Sequence, residues 1–156
     1  MAIRTVKSTV CGATSATGVF TPDSGASALG QIMRIAGTVS ALSTDNAGSQ
    51  YHLCDLPASC ILLPESAIQT TGWAFAQAVV GADGFTDQLL DVTRATGGAT
   101  GNTPITAFGA KWNVPIWQQL GMTAAPLDFI TLKAFAEADA TTDGDLHFDL
   151  LVANHV

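Results

Sequence analysis

Between Ile130 and Val152 the chain alternates apolar and polar residues twice over, and few folds accept that pattern. Ile130, Leu132, Ala134, Ala136 and Ala138 fall at even positions, with Thr131, Lys133, Glu137 and Asp139 between them and Phe135 as the one exception. A period of two places one set of side chains on one face of a strand. After Ala140-Thr141-Thr142 comes Asp143-Gly144-Asp145, and Asp-Gly is the dipeptide that a tight hairpin turn prefers. Leu146, Phe148, Leu150 and Val152 then alternate with His147 and Asp149. The expectation is a β-hairpin over residues 127–156 that forms the closing edge of a β-sandwich.

Upstream, short strand patterns recur between turn-forming residues. Met33, Ile35 and Val39 share one face of residues 31–41, with Arg34, Thr38 and Ser40 on the other. Ser43 to Ser49 is a turn by composition, and Gln50–Leu56 is a strand stopped at Pro57. Cys60 to Leu63 is short and apolar. Ile68 to Val80 reads as one long strand, because Thr70-Thr71-Gly72 opposes helix while Gln69, Thr71, Trp73, Phe75 and Gln77 share a face. Phe85–Val92 reads instead as a short helix capped near Thr86-Asp87, with Asp83, Asp87 and Asp91 on its wet side. Residues 95–104 carry glycines, threonines and Pro104, and read as a surface loop. Pro115 to Gly121 starts with proline and stops with glycine around Trp117 and Leu120, the signature of a single helical turn. Residues 1–30 lack the apolar density for a core and read as an extended N-terminal arm; residues 31–156 form the sandwich domain. The predicted class is all-β: an antiparallel β-sandwich with one or two short helices, for which a jelly roll is one candidate topology.

Composition narrows what such a sandwich does. Charged residues make up 12% of the chain, about half the usual share. The surface is therefore rich in Thr, Ser, Ala and Gly, and part of it is expected to be covered by partners. The net charge of -7 argues against nucleic acid, whose phosphates need Lys and Arg. Arg4 and Lys7 stand in residues 1–22, which hold no acid; the first acidic residue is Asp23. A basic arm on an acidic body can dock on an acidic neighbour. Met1 to Thr9 has no apolar core of the length a signal peptide needs, and no stretch approaches the ~20 apolar residues of a membrane-spanning helix. Cys11, Cys54 and Cys60 fit no metal spacing and suggest synthesis in a reducing cytoplasm; Cys54 and Cys60 flank the Pro57 corner, but a disulfide between them is not expected.

Candidate chemistry is sparse. His147 and Asp149 lie two apart on an outward face and could share a metal if His155 or another strand supplied a third ligand, but an exposed polar face explains them as well. His52 stands alone. Asp143-Gly144-Asp145 lacks the further ligands of a calcium loop. No G-x-S-x-G elbow is present, Cys11 has no neighbouring base, and the glycines of residues 95–104 match neither phosphate-loop motif. No catalytic residue, cofactor or metal is therefore expected, and the protein is not expected to be an enzyme. Among Trp73, Trp112 and Trp117, Trp117 fits a core position beside Leu120. Trp112, between Lys111 and Asn113, is the candidate for an exposed binding platform of the kind that holds sugars.

Two motifs carry a resemblance. Asp45-Asn46-Ala47-Gly48-Ser49-Gln50-Tyr51-His52-Leu53-Cys54-Asp55-Leu56-Pro57 has the form D-x-x-G-S-x-Y-x-L-x-x-L/V-P, and Pro115-Ile116-Trp117-Gln118-Gln119-Leu120-Gly121-Met122 has the form P-x-W-x-x-L-G-L/M. Over roughly residues 38–156 the chain resembles the head decoration, or capsid cement, proteins of tailed phages. It departs from them at Thr123-Ala124-Ala125-Pro126, which lacks the usual acid before proline. The resemblance implies a small β-sandwich on the capsid exterior, often a homotrimer, that clamps neighbouring major capsid subunits in a virion after synthesis in the host cytoplasm. On this reading Ile3, Arg4, Val6 and Lys7 in the arm, with Trp112, are the candidate protein-interface residues. A carbohydrate-binding module and another phage part (head completion, tail or spike) are the alternatives.

Overall fold

The computed structural model describes residues 3–8, 32–93, 100–104, 111, 113–127 and 129–153. Among them, ten strands run in chain order: β1 Thr5–Lys7, β2 Ile32–Ala41, β3 Gln50–Pro57, β4 Ile61–Leu62, β5 Ala67–Thr71, β6 Gln77–Ala82, β7 Phe85–Thr93, β8 Thr100–Pro104, β9 Phe129–Phe135 and β10 Gly144–Ala153. One short helix, α1, spans Ile116–Gln119. The first sheet has the order β1-β3-β9-β6-β7 and the second β2-β10-β5-β8, with β4 also on β10.

Leaving aside β1 and β4, the antiparallel pairs nest inside one another: β2 with β10, β3 with β9, β5 with β8, and β6 with β7. A ribbon folded this way into two four-stranded sheets is a jelly roll. The sandwich is thus confirmed and its topology defined. Between the sheets lie Leu53 and Leu56 of β3, Leu132 of β9 and Val80 of β6, facing Ile68 of β5 and Leu146, Phe148, Leu150 and Val152 of β10, all essentially free of solvent. Each such side chain contributes about 1.5–3 kcal/mol through burial.

The expected closing hairpin does not form. β9 sits between β3 and β6 in one sheet, and β10 between β2 and β5 in the other. Alternation states which face of a strand is apolar, but not which strand lies beside it. Here the even-numbered faces of β9 and β10 meet the same core from opposite sides. Residues 136–143 carry the chain across: Ala136 donates its N–H to Ser49 O (3.0 Å), Ala140 to Asp45 O (2.9 Å) and Thr141 to Ala74 O (2.9 Å). Gly144 is required by close approach, since a Cβ there would lie 1.8 Å from the carbonyl oxygen of Gly72.

The Asp-Gly hairpin of this chain is Asp83-Gly84, joining β6 to β7, with Gly84 at φ 77°. Residues 85–92 are therefore a strand, not a helix. Their apolar spacing suits either period, and pairing of Leu90 with Val80 and Val92 with Ala78 decides for strand. The long strand expected over residues 68–80 is cut at Gly72 (φ 59°) into β5 and β6, which lie in different sheets, and Trp73, Ala74 and Phe75 cross between them, buried. Thr100–Pro104, expected as loop, is strand β8 on β5; residues 94–99 lie outside the described residues.

The proline-to-glycine helical turn is present as expected. Pro115 precedes α1 and Gly121 follows it at φ 80°. Ile116 donates to Cys60 O (2.7 Å), and the buried Gln119 donates Nε2 to Leu62 O (3.0 Å), which fixes the turn on the chain leaving β3. Leu120 is fully buried and Trp117 packs partly buried on the same core. Cys54 and Cys60 are both buried and are not joined to each other. The Cys60 thiol donates to Pro57 O, and burial pushes its pKa up to about 12, so it rests as an inert thiol.

Candidate interaction surface at the N-terminal strand

Strand β1 lies parallel to β3, with Thr5 opposite Gln50, Val6 opposite Tyr51 and Lys7 opposite His52. Ser8 continues the contact, donating its N–H to His52 O (2.7 Å) and its hydroxyl to Leu53 O (2.5 Å). Upstream, Gln50 donates to Arg4 O (2.8 Å), and the Arg4 N–H reaches Ser49 Oγ (3.0 Å).

The Arg4 side chain ends on Asp45. Its Nη1 lies 3.1 and 3.2 Å from the two carboxylate oxygens. The Asp45 side chain is fully buried while that of Arg4 keeps 35% exposure. The same carboxylate accepts the Tyr51 hydroxyl (2.6 Å) and the Leu42 N–H (3.0 Å). Burial by itself would raise the Asp45 pKa. The hydrogen bonds from Tyr51, Leu42 and Arg4 outweigh it and hold the carboxyl below its ordinary value. Burial, then the Asp45 charge, push the Tyr51 phenol up. A buried carboxylate with donors from three segments ties the arm to the turn and strand β3.

Of the five predicted interface residues, Ile3 and Lys7 face solvent, Ile3 at 69% exposure. Arg4 and Val6 turn inward, Arg4 to Asp45 and Val6 to the core. Trp112 lies outside the described residues, as do residues 1–2 and 9–30 of the arm. Sequence reasoning missed Asp45 as the shared partner of Arg4 and Tyr51. Its signal was the D-x-x-G-S-x-Y spacing, in which Gly48 at φ 88° turns the chain so that Tyr51 comes back over Asp45.

The linkage has a sign that can be tested. A carboxylate whose pKa is lowered on folding contributes stability above its unfolded value and loses it as pH falls through the folded one. With an ordinary value of 3.8 for Asp45, thermal stability is expected to decline below that pH. Amide protection at Val6 and Ser8 should be lost ahead of the core. Hydrogen exchange across an acid series checks this; Asp45→Asn should flatten the dependence.

Several other polar groups pair within the chain. His147 Nδ1 lies 2.8 Å from Thr38 Oγ1, and Asp149 is paired with Arg34 at 2.5 Å, which lowers its pKa. Both line a shallow outer groove of about 510 Å³ floored by Ala36, Gly37 and Ala67. Asp143 accepts the Ser43 N–H and Asp145 the Ser40 hydroxyl. On the other sheet His52 and Thr131 both meet Asp55, and Lys133 bridges Asp83 and Gln50. Among the described residues no group of three or more His, Cys, Asp or Glu is placed to hold a metal ion, and no helix is long and apolar enough to cross a membrane. An uncharged pocket of about 340 Å³, lined by Pro57, Pro115, Trp117, Pro126 and Leu127, opens beside α1. Leu127 there is fully exposed and Phe129 is 42% exposed.

Strand order and packing define a jelly-roll β-sandwich with an added N-terminal strand. Its fold is shared with a solved chain of the cyanophage Pam1 capsid asymmetric unit, at a TM-score of 0.54 and 13% identity, covering 91% of this chain and 98% of that one. No family model matches the chain, and no curated protein matches it.

Proposed function

We propose that this chain is a structural protein of a phage virion, a decoration or cement protein that sits on the capsid exterior and stabilises contacts between major capsid subunits. The observation that carries the reading is the fold shared, over nearly the whole of both chains, with a component of a cyanophage capsid asymmetric unit. The two sequence motifs point the same way. The D-x-x-G-S-x-Y segment builds the Asp45 node, and the P-x-W-x-x-L-G segment builds α1 and one wall of the uncharged pocket. The role is one of binding, with no reaction and no cofactor. Ile3 just before β1 and Lys7 on it, with Leu127 and Phe129 near α1, supply exposed apolar and basic contacts, and the protein acts as a homotrimer.

The test is to add the purified chain to expanded shells stripped of accessory proteins and count copies per shell. Saturation at a fixed ratio to the major capsid subunit supports the reading, with a shell that resists heating better. No binding, or a few copies at a single vertex, would overturn it in favour of a head-completion, tail or spike part. Ile3→Asp combined with Lys7→Glu is expected to weaken binding about tenfold or more, since one apolar anchor contributes about 1.5–3 kcal/mol. The same variant should melt at the wild-type temperature, because both side chains face solvent.

A further inference from the structure

The eight nested strands of the jelly roll are complete without β1. It is an addition to the open edge of β3, three residues long and parallel, whereas every other strand pair described is antiparallel. An unpaired strand edge is a template for any extended segment that fits it. This edge carries a specific demand, because the buried Asp45 carboxylate takes part of its compensation from Arg4, immediately before the added strand.

The chain between Ser8 and Ile32 is far longer than this contact requires. Ile32 stands opposite Ala153, which stands opposite Ile61, so β2 begins at the end of the sandwich where β3 stops. From His52 to Pro57 along β3 is roughly 17 Å at the usual rise. Residues 9–31 at full extension would span roughly 75 Å. A connection of that length can reach the β3 edge of a neighbouring copy as well as its own.

We propose that the β3 edge and the Asp45 node form a strand-acceptor site for the Ile3–Ser8 segment of a second copy of this chain. Copies in contact then exchange N-terminal strands, each receiving the partner's Arg4. The pairing partners are identical in either arrangement, so exchange links the copies without forming a new interface. Arg4 carries its charge with the exchanged segment and meets an Asp45 carboxylate in either arrangement. The inference concerns copies of this chain alone and stands apart from the capsid reading.

Cysteine trapping in the full chain tests it. With Cys11 replaced by serine throughout, Thr5→Cys is placed in one variant and Gln50→Cys in another, at positions directly opposed in the β1–β3 register. Mixed at about millimolar concentration and oxidised, the two should give covalent dimer several-fold above either variant alone. A control pairing Thr5→Cys with Thr86→Cys, an exposed position on β7, should stay at background. A chain carrying both Thr5→Cys and Gln50→Cys, oxidised when dilute, should close within itself, which shows that the pair is competent. Closure in that chain with only background dimer in the mixture would overturn exchange.

Discussion

Replacing Asp45 by alanine is expected to remove about 3 kcal/mol of folding stability, out of the 5–15 kcal/mol that holds a domain of this kind together. The loss comes mainly from what is left behind. The buried Tyr51 hydroxyl and the part-buried Leu42 N–H both point at the missing carboxylate, and an unsatisfied buried donor costs about 1–3 kcal/mol. The Arg4 guanidinium is 35% exposed and can swing to water, so its own share is smaller. Arg4→Ala should therefore cost less, about 1–2 kcal/mol, because the carboxylate keeps two of its donors. Residues sharing one network do not add, and the double variant should fall short of the sum of the two. Urea unfolding of the three variants checks this. An Asp45→Ala chain within about 0.5 kcal/mol of the parent, the range of ordinary surface substitutions, would mean that the node is not a fastening point. The experiment also separates arm from body: Arg4→Ala should abolish amide protection in β1 while leaving β9 and β10 protected.

What could be read in advance follows from what each residue pattern encodes. The even positions of residues 130–134 and 146–152 face the core as their alternation requires, because side-chain direction is local to the strand. Partner choice is not local. In a jelly roll each connection but the innermost crosses between sheets, so neighbours in the chain are rarely neighbours in a sheet. That is why the Asp143-Gly144 dipeptide misleads and Asp83-Gly84 does not. The first glycine answers a backbone crossing at Gly72, visible only once both strands are in place. The second answers a turn with its strands on either side. Proline and glycine around α1 act within a single turn, and that element was legible. Asp45 looked like any turn-forming acid; its partners lie 41 residues away at Arg4 and 6 away at Tyr51. Only the motif spacing hinted at the nearer one.

Trp73→Ala is expected to be at least as damaging, at about 3–5 kcal/mol, and to act through packing instead of charge. Trp73 is wholly buried where the chain crosses from β5 to β6. Its ring meets Tyr51 edge-on with centroids 5.4 Å apart and Phe75 at 5.3 Å, and Tyr51 and Phe75 lie 5.8 Å apart. Removing the indole breaks two of the three contacts in this triangle and leaves a cavity beside the Gly72–Gly144 crossing, where the backbone on both sides is too close to collapse into it. Trp73→Phe should cost less, since it retains a ring and loses chiefly the Nε1 hydrogen bond to Gln77 O (3.1 Å). The Asp45 and Trp73 effects are also distinguishable by acid. Loss of Trp73 should lower stability by a similar amount at every pH, whereas loss of Asp45 should narrow its gap to the parent as pH drops below 3.8. Near-ultraviolet circular dichroism reports the triangle directly. A Trp73→Ala chain that keeps its aromatic signal and its melting temperature would show that the crossing is not packed around this ring. A collapse of both would make the aromatic triangle, which also carries the Tyr51 hydroxyl onto Asp45, the link between the jelly-roll core and the N-terminal strand.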